Sequence, residues 1–304
     1  MKTSSSEIIS RFGDWVVRSR AIQAALIFGS RARGLDSCAR MDSYSDVDFQ
    51  VVTYQPSIFA ESTWVPIIDT SGILTYVYRS ASGGVSKATI LLKSGIEVDV
   101  VVVPAIRLHI ARIAVKYGLH HRIPVIAASL DEMATVMSGG YRMLKGGRQW
   151  EKFYSAVVSE IRGARLTDCD VCKIADEFVC DFRWISKKVM RGELIAAQRV
   201  LHASLLEKNY RILHELRLRR SLTSFRDARR IEILLPPDDL EMISIGSTLR
   251  SDDLQVSARK AAQAMRVLVA EIVGDRWIWP QESYQELLGP TREAGGSIDL
   301  RTGP

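Results

Sequence analysis

The chain has 304 residues, of which 47% are hydrophobic, and its 41 Lys and Arg against 35 Asp and Glu give a formal net charge of +6. This length and composition exclude a largely disordered protein and favour two packed domains. No apolar run reaches the length of a membrane span, and the amino-terminal stretch has no apolar signal core, so we expect a cytoplasmic protein without a membrane partner.

The first part of the chain predicts a helix followed by a compact sheet. The helix is expected from about Ser4 to Arg18. Apolar and β-branched runs then predict about five strands, at 24–28, 47–52, 73–78, 88–92 and 96–103. Because Ser94-Gly95 between the last two runs is typical of a tight hairpin, we expect those strands to be antiparallel neighbours.

Beyond about Ser129 the apolar residues recur at helical spacing, as at Phe178, Phe182 and Ile185. Gly-Gly pairs at 139–140 and 146–147 punctuate the start of this part. We therefore predict an α+β chain. A mixed sheet with flanking helices is expected in residues 1–135, a mostly helical domain in 136–279, and a loosely ordered tail in 280–304.

Two aspartates separated by one residue lie at the start of a predicted strand. Because strand residues two apart face the same side, Asp46 and Asp48 present both carboxylates together. Asp99 adds a third carboxylate from a strand predicted to lie beside theirs. Like charges this close repel unless a cation lies between them, and Mg²⁺ prefers carboxylate and phosphate oxygens. The three aspartates therefore predict a magnesium site.

A glycine and a serine follow directly after the first predicted strand. Gly29 permits unusual backbone angles and close approach, so Gly29-Ser30 can bring N–H groups and a hydroxyl near a phosphate. Arg31 and Arg33 stand beside them as charge partners for a polyphosphate. We therefore predict nucleotide binding at these four residues, opposite the metal.

These motifs together resemble the nucleotidyltransferases of the DNA polymerase beta superfamily, whose signature is Gly-Ser, a variable loop, Asp-x-Asp and a later Asp. Within that superfamily, residues 28–33, 46–49, Trp64 and 98–104 are most similar to the streptomycin (aminoglycoside) 6-adenylyltransferases. This similarity covers the first third of the chain, and a weaker one continues through 176–194. It implies a polymerase beta-like nucleotidyltransferase sheet followed by a helical domain.

The resemblance implies a reaction as well as a fold. Asp46, Asp48 and Asp99 would hold two Mg²⁺ ions with ATP as co-substrate, and a hydroxyl of a small acceptor, such as the aminoglycoside streptomycin, would displace pyrophosphate from AMP. Asp99 is the first choice for deprotonating that hydroxyl, and Glu97, on the same strand face, is the second. The expected partners are a nucleoside triphosphate and a small hydroxylated acceptor, without nucleic acid.

The helical half offers a candidate surface for a polycationic acceptor. Glu177 and Asp181 are four residues apart and Trp184 lies about one turn further, so the three share a predicted helix face. An acidic and aromatic face can hold a guanidinium or ammonium group. The same pattern is also typical of a solvated face with one core aromatic residue, and the sequence leaves both interpretations open.

Cys169 and Cys172 have the spacing of half a zinc site. A structural zinc needs four ligands, and no second pair or close histidine follows at suitable spacing. Reduced thiols are therefore the better interpretation.

The most basic stretch of the chain contains seven arginines, at 211, 217, 219, 220, 226, 229 and 230. Such a cluster is usually a salt-bridged or solvated surface, but it lends support to a second hypothesis, transfer to RNA ends or to a protein side chain. A third hypothesis, a non-enzymatic nucleotide-binding module, is disfavoured because repelling carboxylates serve little purpose without a metal. The acceptor, the triphosphate and the oligomeric state stay open.

Overall fold

The computed structural model describes residues 4–32, 45–81, 84–137, 139–161, 163 and 165–280. Arg33, predicted to bind nucleotide, and the predicted tail after Pro280 lie outside the described residues. The chain divides into two compact units, Met1–Ala164 and Arg165–Pro304. The sequence prediction drew this boundary at 135, about thirty residues earlier.

The first unit is built on a six-stranded mixed sheet with the order β3-β4-β5-β2-β1-β6. Its strands are β1 Ile22–Phe28, β2 Val47–Thr53, β3 Ile73–Ser80, β4 Ser86–Leu92, β5 Glu97–Pro104 and β6 Tyr141–Lys145. β2 and β5 are parallel, and the other neighbouring pairs are antiparallel. The expected antiparallel pairing of β4 with β5 is thus confirmed.

Helices flank this sheet in the first unit and make up the second. Those of the first unit are α1 Ser5–Arg18, α2 Val65–Ile68, α3 Ala105–Lys116, α4 Pro124–Met137 and α5 Arg148–Ser159. Those of the second are α6 Asp168–Met190, α7 Leu194–Val200, α8 Glu207–Arg219, α9 Ile231–Leu234, α10 Pro237–Ile243 and α11 Ser251–Val273. The α+β class predicted from the sequence is therefore confirmed. Within the described part of the chain, no helix is both long and apolar enough to cross a membrane.

The sixth strand, β6, was not predicted. Its sequence Tyr-Arg-Met-Leu-Lys alternates apolar and polar residues only over the first three positions, and the glycine pairs on either side favour breaks in a helical domain. In the structure β6 pairs antiparallel with β1, from Phe28↔Tyr141 to Ala25↔Lys145. A tertiary partner has overridden the weak local preference, as is common for strands.

Helix α1 covers one face of the sheet. Ser4 caps it by accepting a hydrogen bond from the Glu7 N–H at 3.2 Å. Phe12, fully buried on its apolar stripe, stacks on Phe49 of β2 with ring centroids 3.9 Å apart. The same core contains Val47 of β2 and Val98 of β5, so alternate residues of the two central strands are committed to this face.

Within the described part of this unit, helices cover only part of the opposite face of the sheet. Val52 and Val103, near the ends of β2 and β5, share a core with residues of α3, α4 and α5. Two residues before Val52 on β2, Gln50 Nε2 donates a hydrogen bond to the Tyr154 hydroxyl of α5 at 2.8 Å. Two residues before Gln50, on the same face, lies Asp48, which is half-exposed. The described helices therefore pack on the later residues of β2 and β5, and the first residues of these strands lie beyond that packing.

The second unit has its own helical core. Thr167 caps α6 in a reciprocal capping box with Asp170. Phe178, Phe182 and Ile185 lie in the core, as their helical spacing predicts. A π-helical segment, Leu201–Leu206, joins α7 to α8.

A buried acid ties the start of this unit to α8. The Glu215 side chain is 3% exposed, and it accepts hydrogen bonds from Arg165, from the Leu166 N–H and from Arg219. Burial alone would raise the pKa of Glu215, but these donors more than offset it, so the pKa is lowered. A carboxyl with a lowered folded-state pKa stabilises the fold above its unfolded pKa, and this contribution is lost as the pH falls through the folded value.

We expect Glu215→Gln to lower the free energy of unfolding by about 1–3 kcal/mol at pH 7, because the substitution removes the charge that Arg165 and Arg219 share. The difference from the wild type should shrink as the pH falls through the lowered folded-state pKa of Glu215, where the wild-type carboxyl also loses its charge. Urea denaturation followed by circular dichroism, repeated at a series of pH values, measures the free energy of unfolding of both proteins. Glu193→Gln, at an exposed ion pair with Lys188, is the control and should change stability little.

Candidate active site

Two of the predicted aspartates are brought together by strand register. β2 and β5 are parallel, with Asp48 opposite Asp99 and Val47 opposite Val98. Both valines are fully buried on the face that α1 covers. Since successive strand residues point to opposite faces, both aspartates lie on the other face, near the starts of β2 and β5, where Asp48 is partly exposed and Asp99 is buried.

The glycine turn lies against the first of these carboxylates. Phe28, the last residue of β1, is paired with Asp48. Gly29 follows with φ +75°, and a Cβ at this position would overlap the Asp48 Oδ2 atom and lie 3.3 Å from its Cγ. Only glycine accepts both this backbone angle and this contact. Gly29-Ser30 and the aspartate pair therefore belong to one site, with Ser30 half-buried in the 3₁₀ turn Gly29–Ala32.

Arg31 connects this turn to the segment that enters β2. Its Nε donates a hydrogen bond to the Asp46 carbonyl oxygen at 2.9 Å, and its Nη2 donates to the Ser45 carbonyl oxygen at 2.6 Å. The guanidinium thus holds the backbone that carries Asp46. The role in phosphate binding predicted for Arg31 stays a prediction, because these contacts show a positioning role.

Glu97 is a fourth acid that interacts electrostatically with the aspartates. Burial raises the pKa of Glu97, at the start of β5, and the negative charges of Asp46 and Asp99 raise it further. Lys87 and Arg79 act in the opposite direction. Carboxylates raise one another's pKa only when they are close, so Asp46 and Glu97 belong to the same acidic cluster as Asp99.

The Asp99 carboxylate is held by the next strand, β4. The Thr89 hydroxyl donates a hydrogen bond to Oδ1 at 2.6 Å, and the Lys87 ammonium contacts Oδ2 at 2.5 Å. Sequence reasoning missed both residues. Their spacing of two within the β4–β5 hairpin was the available signal, because it places both on one face of β4, and Thr89 is the register partner of Asp99.

The chemistry of this donor set fits magnesium. Asp46, Asp48 and Asp99 offer hard carboxylate oxygens, which suit Mg²⁺ better than a soft metal. Among the described residues, no group of three or more His, Cys, Asp or Glu is already arranged as a metal cage. The ammonium of Lys87 on Asp99 Oδ2 is a cation that a metal ligated by this oxygen would have to replace.

Two solved structures resemble this chain. One is an aminoglycoside 6-adenyltransferase from Bacillus subtilis, with 12% sequence identity, coverage of 92% of this chain and 94% of that chain, and a TM-score of 0.39. The other is a nucleotidyltransferase-like protein from Exiguobacterium sibiricum 255-15, with 10% identity, coverage of 93% and 85%, and a TM-score of 0.36. No protein-family model and no curated protein matches the chain.

The predicted acceptor residues lie on one face of α6, in the second unit. Glu177 and Trp184 are exposed, and Asp181 is partly exposed. Asp181 accepts a hydrogen bond from the Lys208 ammonium at 2.7 Å, and the Lys188 ammonium lies 4.9 Å from the centre of the Trp184 ring. Two lysines of the chain thus already supply the kind of contact predicted for a cationic acceptor.

Ion pairs also engage part of the arginine cluster. Arg219 contacts Asp168 and Glu215, and Arg220 contacts Glu271. For these two arginines the interpretation as a salt-bridged surface is supported. The cysteines Cys169, Cys172 and Cys180 are free thiols.

We expect Gly29→Ala to destabilise the protein by about 1–3 kcal/mol, because alanine at this left-handed position is strained and overlaps the Asp48 carboxylate. Gly13→Ala is the matched control. It lies within α1 with open space around it and should stabilise by about 0.5–1 kcal/mol. Chemical denaturation of the two variants checks both signs. A Gly29→Ala protein as stable as the wild type would contradict the contact with Asp48.

Proposed function

We propose that the chain is a magnesium-dependent nucleotidyltransferase that transfers AMP from ATP to a hydroxyl of a small acceptor and releases pyrophosphate. The observation that carries this proposal is the register of Asp48 with Asp99, with the Gly29 turn packed against the Asp48 carboxylate. This arrangement combines an oxygen-rich cation site with a turn whose backbone N–H groups suit a phosphate.

In this proposal Asp46, Asp48 and Asp99 hold the metal, which when bound neutralises the charge of the triphosphate and polarises the reacting oxygens. The Gly29-Ser30 turn binds phosphate oxygens from the other side. Arg31 fixes the backbone at Ser45 and Asp46, so the carboxylate of Asp46 starts from a defined backbone position. The chain contributes mainly positioning and charge, which are the main requirements of phosphoryl transfer.

The contacts bear on which acid takes the proton of the acceptor hydroxyl. Both oxygens of Asp99, the first choice from the sequence, are engaged by Thr89 and Lys87. Glu97, the second choice, lies on the same strand face two residues earlier on β5. We propose Glu97 as the proton acceptor and Asp99 as a metal ligand.

An aminoglycoside, such as streptomycin, is the acceptor that the sequence resemblance suggests. The acidic and aromatic face of α6, formed by Glu177, Asp181 and Trp184, is the proposed acceptor surface, on which a cationic acceptor would compete with Lys208 at Asp181 and with Lys188 at Trp184. Transfer to RNA or to a protein side chain is the alternative. It finds less support, because Arg219 and Arg220 of the basic stretch are engaged with carboxylates.

The transfer itself is tested by incubating the protein with Mg²⁺ and each nucleoside triphosphate against a panel of aminoglycosides and other hydroxylated antibiotics. Mass spectrometry should show the addition of a nucleoside monophosphate. Asp48→Asn should lower the rate at least about 10³-fold, because it removes a metal-binding charge. Asp14→Asn, an exposed acid of α1, is the control and should leave the rate unchanged. Transfer by Asp48→Asn at the wild-type rate would refute the proposed site.

The acceptor surface is tested by Glu177→Gln. We expect KM for the acceptor to rise about three- to tenfold with kcat nearly unchanged, because an exposed carboxylate contributes about 1 kcal/mol to a cation contact. Glu241→Gln, an exposed acid of α10, should leave KM unchanged. An unchanged KM in Glu177→Gln would place the acceptor elsewhere. A steep loss of transfer in rising salt would favour RNA as the acceptor instead.

A further inference from the structure

Strand β4 contributes two side chains to the acidic cluster, and neither belongs to the motifs that define the site. Thr89 holds Oδ1 of Asp99 and Lys87 holds Oδ2, so both oxygens of this carboxylate are contacted from the same neighbouring strand. A carboxylate fixed through both oxygens has lost its rotational freedom. Its direction is therefore set before any ligand binds.

The ion pair also compensates a charge that water reaches poorly. The Asp99 side chain is 9% exposed, whereas the Lys87 side chain is 26% exposed. A nearly buried carboxylate without a cationic partner is costly, especially beside Asp48 and in the same field as Asp46. Lys87 supplies positive charge at the place where the proposed function puts a divalent cation.

We propose that Lys87 is a positioning residue that occupies Oδ2 of Asp99 and competes with the divalent cation for this oxygen. The inference rests on the proposed function, since that function makes Asp99 a metal ligand. Lys87 stabilises the charged carboxylate while the metal is absent. When the metal binds, the flexible Lys87 side chain would move away from Oδ2 of Asp99. Thr89 keeps its hydrogen bond to Oδ1 throughout, so the carboxylate stays in place during the exchange.

The competition has a consequence that a purely structural ion pair lacks. If Lys87 only supported the sheet, removing its charge would destabilise the fold and leave metal affinity unchanged or weaker. If Lys87 competes with the metal, removing its charge leaves Asp99 uncompensated, so the protein should bind a divalent cation more tightly. The same variant should also gain more thermal stability from that cation, because a tighter ligand stabilises the native state more.

The test uses the full chain stripped of metal with EDTA, with Mn²⁺ alone as the probe. Electron paramagnetic resonance of free Mn²⁺ gives the Kd, and thermal unfolding with and without Mn²⁺ gives the shift in Tm. We expect Lys87→Met to bind Mn²⁺ about three- to tenfold more tightly than the wild type. Its Tm should be lower in EDTA and should rise more on addition of Mn²⁺. Lys87→Arg, which keeps the charge, should restore values near those of the wild type.

Lys93→Met is the matched control, since Lys93 is an exposed lysine just after the same strand. Lys93→Met should bind Mn²⁺ with the same affinity as the wild type. This result would show that tighter binding by Lys87→Met comes from losing the contact with Asp99 and not from losing one positive charge. If Lys87→Met is too unstable to purify, Lys87→Gln has to show the same tighter binding. In the transfer reaction, Lys87→Met should reach its half-maximal rate at a metal concentration about three- to tenfold lower than the wild type requires, and Lys87→Arg should require about the wild-type concentration.

The outcomes separate this inference from the proposed function. Equal Mn²⁺ affinity in the wild type and Lys87→Met would overturn the competition even if nucleotide transfer is observed. Tighter Mn²⁺ binding by Lys87→Met, with no transfer by any variant, would support the competition and refute the proposed function. A wild-type protein that binds no Mn²⁺ would overturn both the competition and the metal site.

Discussion

The parallel pairing of β2 with β5 is the constraint on which the candidate site depends. In this register Val47 lies opposite Val98, and both are fully buried, while Asp48 lies opposite Asp99 on the other face. A slip of one residue would turn one strand's aspartate into the apolar core and expose its valines, which hydrophobic burial opposes. The packing under α1 therefore sets the distance between the two carboxylates, although no residue of that core takes part in the chemistry.

The sheet face that carries the carboxylates is divided along the strands. Near Val52 and Val103 it is covered by helices, and Gln50 is fixed by Tyr154 of α5. Nearer the start of the strands the same face carries carboxylates. Burial raises the pKa of Glu97, the negative charges of Asp46 and Asp99 raise it further, and the cationic side chain of Lys87 offsets part of this rise. The apolar half thus supports a polar half in which several acids lie close together and Lys87 compensates part of their charge.

In the second unit, the two partners of an ion pair can lie far apart in the sequence. Glu215 on α8 binds Arg165, fifty residues earlier, and Asp181 on α6 binds Lys208. A pattern such as Glu177, Asp181 and Trp184 identifies a shared helix face correctly, because helical period is local. It gives no information about cations that arrive from another helix, so the acceptor surface is the part of the proposal that the sequence supports least.

The sequence alone determined the α+β class, five strands and α1, because the strands are apolar and β-branched runs and α1 has a helical pattern, and its motifs selected Gly29, Asp46, Asp48 and Asp99. It did not determine β6, whose pairing with β1 overrides a weak local preference. Nor did it reveal that Lys87 and Thr89 hold Asp99, or that Arg31 holds the backbone before Asp46. Local periodicity decides which face a side chain takes, but strand order and register decide which neighbouring charge it meets.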